Sequence, residues 1–372
     1  MNILIATDKF KGSLTAREAC TAIASGLQQR YPNATIRLAP LADGGDGTLA
    51  VLGEYLHLRP RQISTVDPLG RPLMATYLES DGTAYIELAT ASGLVLLQPA
   101  ERNPLRTSTY GTGLQLRDAL DRGIRKLSLL LGGSATHDLG LGIAEALGVR
   151  FLDAGGLTVR PTGGRLPTIR SIEPPAVKPW EGATIELLCD VDNPLYGPRG
   201  AARVYGAQKG ASPRMVEQLE AGAEHLSALL MATTGVSVAE LPGGGAAGGI
   251  GAGLVALLGA RMTGGFAFVS ELSGLHENID WADVVVSGEG QVDDQSWQGK
   301  VVGGVLEHCR RAGKPLHLLV GRNALPDDGA APSGVASIRD IMRVAPDTAA
   351  AVADAARYLR VLAGAVAVVD AG

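Results

Sequence analysis

The chain has 372 residues, 46% of them hydrophobic and only 4% aromatic, and a formal net charge of -5 at pH 7. That length exceeds what one core usually organises, so two domains are expected. The acidic balance and the lack of a basic run speak against nucleic acid as a partner, because phosphate backbones are held by clustered Lys and Arg. No apolar stretch reaches the roughly 18 residues that span a bilayer, and the opening MNILIATDKFKG lacks the pattern of a secretory leader, so a soluble, unprocessed protein without membrane association is expected. Cys20, Cys189 and Cys309 are widely spaced and odd in number, which suits free thiols in the cytoplasm.

In chain order, NILIAT is a short buried strand, DKFKGS a polar turn, and LTAREACTAIASGLQQRY an amphipathic helix capped by Ser13 or Thr15. The pattern repeats as TIRLAPLAD, GGDGT and LAVLGEYLHL, with Thr48 as a candidate cap. After Leu58, RQISTVDPLGRPLMATYLESDGTAYIELA alternates polar and apolar residues around two turn signals and predicts three antiparallel strands. Helices return from STYGTG onward, with apolar strands LSLLLGG and TIELLCDV and a proline-rich connector from Pro161 to Pro179. WADVVVSGEGQVDDQSWQGKVVGGVLEHCRRAGKPLHLLVG restores the strand, glycine turn and helix texture, and an alanine-rich helix is expected from about Asp347 to Val366. This ordering predicts an α/β chain of two domains. Residues 1–60 and 283–372 form a Rossmann- or flavodoxin-like parallel-sheet domain, interrupted by a mixed α/β domain at 61–282, with the active site in the cleft between them.

Five turns carry polar chemistry among glycines. ATDKFKGS places Asp8, Lys9 and Lys11 past the carboxyl end of the first strand, where open α/β sheets bind ligands. PLADGGDGT places Asp43 and Asp46 in a turn suited to Mg²⁺, although a glycine-rich Asx turn explains the same residues. In GGSATHDLGLG, Ser134, Ala135 and Thr136 are expected to present amides and hydroxyls to an anion at a helix N-terminus, with Asp138 beside them. LLCDVDNPLYGPRGAARVYGAQKGAS delivers Asp190 from a buried strand, as a general base requires, with Arg199 and Lys209 within the next turns. VVVSGEGQVDDQSWQGK adds Glu289, Asp293 and Lys300. PGGGAAGG is read either as ligand-lining or as close packing. Clustered acids with scattered lysines suit phosphoryl transfer, which needs positioning and charge neutralisation through Mg²⁺. The chain has no GxGxxG at its first strand and no Ser-His-Asp arrangement, so dinucleotide-dependent and hydrolytic chemistries are not favoured.

Across nearly its whole length the chain resembles the bacterial glycerate kinase type I family, through DKFKGSLTA, PLADGGDGT, STYGTG, GGSATHDLGLG, CDVDNPLYGPRGA, QKGA, PGGGAAGG and SGEGQVDDQSWQGK. The resemblance implies a two-domain enzyme that phosphorylates D-glycerate with ATP and Mg²⁺, typically to 2-phosphoglycerate. On that basis Asp190 is expected to orient or deprotonate the glycerate hydroxyl, with Lys9 and Lys209 in the catalytic set. Asp43, Asp46, Glu289 and Asp293 would serve Mg²⁺, and Lys11, Ser134, Ala135, Thr136, Asp138, Arg199 and Lys300 would hold anionic groups. The chain departs from the family pattern at His137 and Leu139, where Asn and Gly are usual, and at Gln291 and Val292. A kinase for another short hydroxy acid, or a binding protein on the same frame, stays open at this point.

Overall fold

The computed structural model describes residues 1–45, 47–297, 300–326 and 331–367. They divide into two compact units. One comprises Met1–Asp43, Gly47–Tyr55 and Gly264–Gly372, the other Gly44–Asp46 and Leu56–Thr263.

The first unit is built on a five-stranded, wholly parallel sheet. Its spatial order is Thr35–Leu38, Asn2–Ile5, Val284–Ser287, Leu316–Val320, Val335–Asp340, which in chain order within the unit reads 2-1-3-4-5. That is the flavodoxin-like order of doubly wound sheets, whose switch point lies between the first and third strands. Those two strands run side by side, with Ile3 beside Val284 and Ile5 beside Val286. The central strands read as continuous apolar runs because helices cover both faces of such a sheet; Val284–Ser287 and Leu316–Val320 are buried throughout. The helix Ala16–Arg30 starts where Thr15 and Glu18 cap each other: the Thr15 hydroxyl accepts the Glu18 N–H and the Glu18 carboxylate accepts the Thr15 N–H. The helix buries Ala19, Cys20, Ile23 and Leu27, and Gly26 lets it approach Arg360 so closely that a Cβ would overlap the Arg360 carbonyl oxygen.

Two expectations shift here. The return to this unit falls at Gly264, not at 283, because the helices Gly265–Leu272 and Leu275–Trp281 pack on its own elements. The Asn2 amide donates to the Trp281 carbonyl (3.2 Å), and Gly304 lies directly against the Phe266 ring. The alanine-rich C-terminal helix is also broken in two, Thr348–Ala353 and Ala355–Gly364, at the non-helical Asp354.

The second unit holds a six-stranded mixed sheet in the order Arg261–Thr263, Thr184–Leu188, Lys126–Leu130, Thr83–Glu87, Pro72–Ser80, Arg59–Val66. The first four are parallel and the last two continue as an antiparallel meander. Asp81 and Gly82, both with positive φ, form the two-residue hairpin loop that a Ser80–Thr83 pairing needs. Leu116, Leu129, Ile143, Phe151, Leu187, Leu226, Ile250 and Leu254 fill the core, each 0 or 1% exposed.

Candidate active site

In a parallel sheet every strand leaves at the same edge, so the loops that follow the strands gather there. In the first unit the switch-point strands release two loops that are tied together. The Asp8 N–H donates to the Gly288 carbonyl (2.9 Å), and beyond it the Gly321 N–H donates to the Glu289 carbonyl (3.0 Å). A Cβ at Gly288 would overlap the Leu319 carbonyl oxygen, so glycine lets the loop carrying Glu289 sit against its neighbouring strand.

This packing buries two carboxylates. Asp8 is 9% exposed; its Oδ1 accepts the Lys9 N–H (2.7 Å) and lies 3.9 Å from the Lys9 ammonium. Burial raises the Asp8 carboxyl to about 6; Lys9 opposes the rise, and Asp43 adds to it. Glu289 is 8% exposed, and among the described residues its buried Oε1 has no hydrogen-bond partner. Burial raises its carboxyl to about 7; a Ser296 hydrogen bond and Lys300 oppose the rise, while Asp8 and Asp293 add to it. Lys9 and Lys300 are half-buried and Lys11 is exposed.

Among the described residues no group of three or more His, Cys, Asp or Glu is placed to hold a metal ion. Asp293 is engaged in its own turn: Oδ1 accepts the Gln295 N–H (2.9 Å), Oδ2 accepts from the Gln291 amide (3.3 Å), and its N–H donates to the Ser296 hydroxyl (3.1 Å). Asp43 stands near enough to Asp8 to perturb it. Asp46 lies outside the described residues. Mg²⁺ is commonly held by one or two carboxylates plus substrate phosphates, and the unpartnered Glu289 oxygen fits that smaller demand.

In the second unit the turn after Lys126–Leu130 differs from the expected helix N-terminus. The next helix, Leu141–Ala146, starts five residues after Thr136 and has only six residues. The Ala135 N–H donates to the Ser92 carbonyl (2.9 Å) and the Thr136 N–H to the Ser134 hydroxyl (3.2 Å), so these amides are used inside the protein. Lys209, expected to face phosphate, is 2% exposed and lies beneath the turn: its ammonium donates to the Ser134 hydroxyl (3.0 Å) and the Thr136 carbonyl (2.7 Å). Burial lowers its pKa to about 7 although Asp138 favours the charged form. Ser134 in turn donates to the Ala247 carbonyl (3.0 Å).

Asp138 is fully buried and fastens the turn. It accepts the Thr109 N–H (2.7 Å), the Thr109 hydroxyl (2.8 Å) and the Gly140 and Gly142 N–H groups (3.2 and 3.3 Å). Burial pushes its carboxyl up and these four donors pull it back. His137 is 1% exposed; burial and Lys209 lower its pKa to about 3, so the ring is neutral, and its Nε2 has no partner among the described residues. Leu139 takes φ +55 and buries its side chain against Gly249. The glycines of PGGGAAGG are packing residues. A Cβ at Gly245 would overlap the Pro194 carbonyl oxygen, and one at Gly248 the Thr136 carbonyl oxygen.

Asp190 leaves the same edge two residues after Thr184–Leu188 and is half-buried. The preceding Cys189 N–H donates to the Thr263 carbonyl (3.1 Å). The loop beyond is held by its polar groups. The Tyr205 hydroxyl donates to Asn193 Oδ1 (2.6 Å), the Asn193 amide donates to the Arg199 carbonyl (2.9 Å), and the Gly197 N–H donates to Glu220 (2.9 Å). The Arg199 side chain is 70% exposed and pairs only loosely with Asp192, at 3.7 Å. Thr109, which lies inside the STYGTG motif, was not named from sequence; its hydrogen bonds to Asp138 single it out. Asp8 was placed at this edge from sequence, and burial makes it a site residue.

The loops so described occupy, in order, the stretches that carry the family motifs. The glycerate kinase family model matches residues 3–369. The chain belongs to the glycerate kinase family. It is 42% identical over 322 residues to a glycerate kinase of Halalkalibacterium halodurans, covering 86% of this chain and 85% of that protein. Over 331 residues it is 39% identical to the glycerate 2-kinase of Escherichia coli K12, covering 88% and 86%. The crystal structure of a chain designated glycerate kinase 2, from Salmonella typhimurium LT2, superposes with a TM-score of 0.81 at 36% identity, covering 98% of this chain and 96% of that one. Among the described residues no helix is long and apolar enough to cross a membrane, and all three cysteines are free thiols.

Proposed function

We propose that this protein transfers the γ-phosphoryl group of ATP to the 2-hydroxyl of D-glycerate in the cytoplasm, giving 2-phospho-D-glycerate and ADP. The observation that carries this reading is the family match across residues 3–369, with a glycerate 2-kinase among the relatives that span most of the chain.

The loops support the reading in two parts. In the first unit, Lys9, Lys11 and Lys300 supply positive charge beside buried carboxylates at the switch point of a parallel sheet, which suits polyphosphate. Mg²⁺ would sit with the phosphates and Glu289, and when bound it would neutralise charge on the transferring group. In the second unit, Asp190 is the candidate for accepting the hydroxyl proton or orienting the hydroxyl. Phosphoryl transfer asks little covalent chemistry of the protein, so this carboxylate acts mainly by geometry. Arg199 is the exposed cation of the same loop system and suits the glycerate carboxylate. Lys209 and Asp138 are assigned to positioning, because both are buried beneath the turn that carries Ser134 and Thr136.

The reading is tested by measuring ADP release with Mg-ATP over a panel of short hydroxy acids. D-Glycerate is expected among the best substrates by kcat/KM. Preference for another acid would move the assignment to that substrate, and no turnover with any of them would favour a binding protein.

A further inference from the structure

We propose that Asp8, not Asp293, is the second carboxylate that joins Glu289 in holding the divalent cation of the bound nucleotide. This rests on the phosphotransfer reading above and names a ligand that the sequence did not assign.

The two residues stand on the adjacent loops of the switch point, joined by the bond from the Asp8 N–H to the Gly288 carbonyl (2.9 Å). That is where a doubly wound sheet presents its ligand site. Glu289 is 8% exposed with Oε1 unpartnered, and a buried carboxylate oxygen left without a donor is costly unless something outside the protein completes it. Asp8 is buried beside it, 9% exposed. Among the described residues its carboxylate accepts from the N–H of the next residue, and its ammonium partner stands off at 3.9 Å. Two buried like charges repel each other, and a hard cation with an oxygen-only shell would at once relieve that repulsion and take up the unused lone pair of Glu289 Oε1. Asp293 is a poor competitor because both its oxygens accept hydrogen bonds within its own turn. Asp43, in the loop after Thr35–Leu38, is near enough to raise the Asp8 carboxyl and so adds to the local negative charge.

Binding of Mn²⁺ in the presence of ADP, followed by loss of the free-ion electron paramagnetic resonance signal, tests the assignment on the full-length protein. Asp8→Asn and Glu289→Gln are each expected to weaken Mn²⁺ binding at least tenfold, while Asp293→Asn changes it less than twofold. Thermal melting gives a second readout. Without ligands, Asp8→Asn is expected to melt no lower than the parent, because the substitution keeps an oxygen to accept the Lys9 N–H and removes one of two repelling charges. Its melting-point rise on adding Mn²⁺ and ADP is expected to vanish. Asp8→Asn binding Mn²⁺ as tightly as the parent overturns the proposal, as does a ligand-free Asp8→Asn that unfolds far below it. If the parent binds Mn²⁺ with ADP and Asp8→Asn does not, yet no hydroxy acid is phosphorylated, the cation site stands and the kinase reading falls.

Discussion

Lys209 is the residue whose setting says most about how the second unit is made. A lysine 2% exposed, held by one hydroxyl and one carbonyl, has no carboxylate in direct contact. Burial therefore depresses its pKa to about 7 from an ordinary 10.5, with Asp138 opposing and the neutral His137 adding no charge. The sign of the consequence is fixed. Between about pH 7 and 10.5 the unfolded chain binds the proton that the folded chain has lost, so the destabilisation from burying the Lys209 charge shrinks as pH rises, by at most about 1.4 kcal/mol per unit. Urea denaturation between pH 7.5 and 9 should show the parent gaining stability relative to Lys209→Met, whose own curve lacks this slope. Parallel curves would mean that Lys209 stays charged in the folded protein. Burial of this kind is not written in the motif QKGA, where a lysine reads equally well as a surface contact. The Ser134–Thr136 turn closes over Lys209, and that burial makes it a positioning group.

Among the elements, those specified locally were readable from sequence and those specified by distant backbone were not. The Asp81-Gly82 hairpin needs two positive φ values, and Asp-Gly supplies them within the same four residues. The Thr15 and Glu18 cap is equally local. The stretch from Gly243 to Gly253 is the opposite case. Its glycines are required by the carbonyls of Pro194, Thr136 and Leu139, which approach from other parts of the unit, so the sequence alone left ligand contact and packing undecided. Gly248 combines the two constraints, a φ of +80 and no room for a Cβ against the Thr136 carbonyl. Gly248→Ala is therefore expected to destabilise by more than about 2 kcal/mol, exceeding the ordinary penalty of about 1 kcal/mol for holding an L-residue in the left-handed region. Gly156→Ala, at φ +76 with open space around the added carbon, serves as the reference. Equal denaturation midpoints for the two variants would show that the turn relaxes freely. The expected anion site at a helix start failed for a related reason: Gly140, in the left-handed conformation, delays the helix to Leu141, and the amides before it turn inward.

At the scale of the whole molecule, the fold class was legible because buried parallel strands announce themselves as apolar runs ending in glycine turns. The unit boundaries were less so. The helices Gly265–Leu272 and Leu275–Trp281 carry no composition shift to mark the change of unit, and the division at 263/264 follows from what they pack against. The loops that carry chemistry were found because motif order and strand order place them at carboxyl ends; which side chains in those loops are buried, and so which can serve a ligand, came from packing. Incubating the full-length protein with Mg-ATP and D-glycerate and following ³¹P NMR should show a phosphomonoester whose phosphorus couples to the single C2 proton, giving a doublet, as 2-phospho-D-glycerate does. A triplet-like signal from phosphate on the C3 methylene, or ATP left unconsumed beside D-glycerate, would contradict the proposed transfer to the 2-hydroxyl.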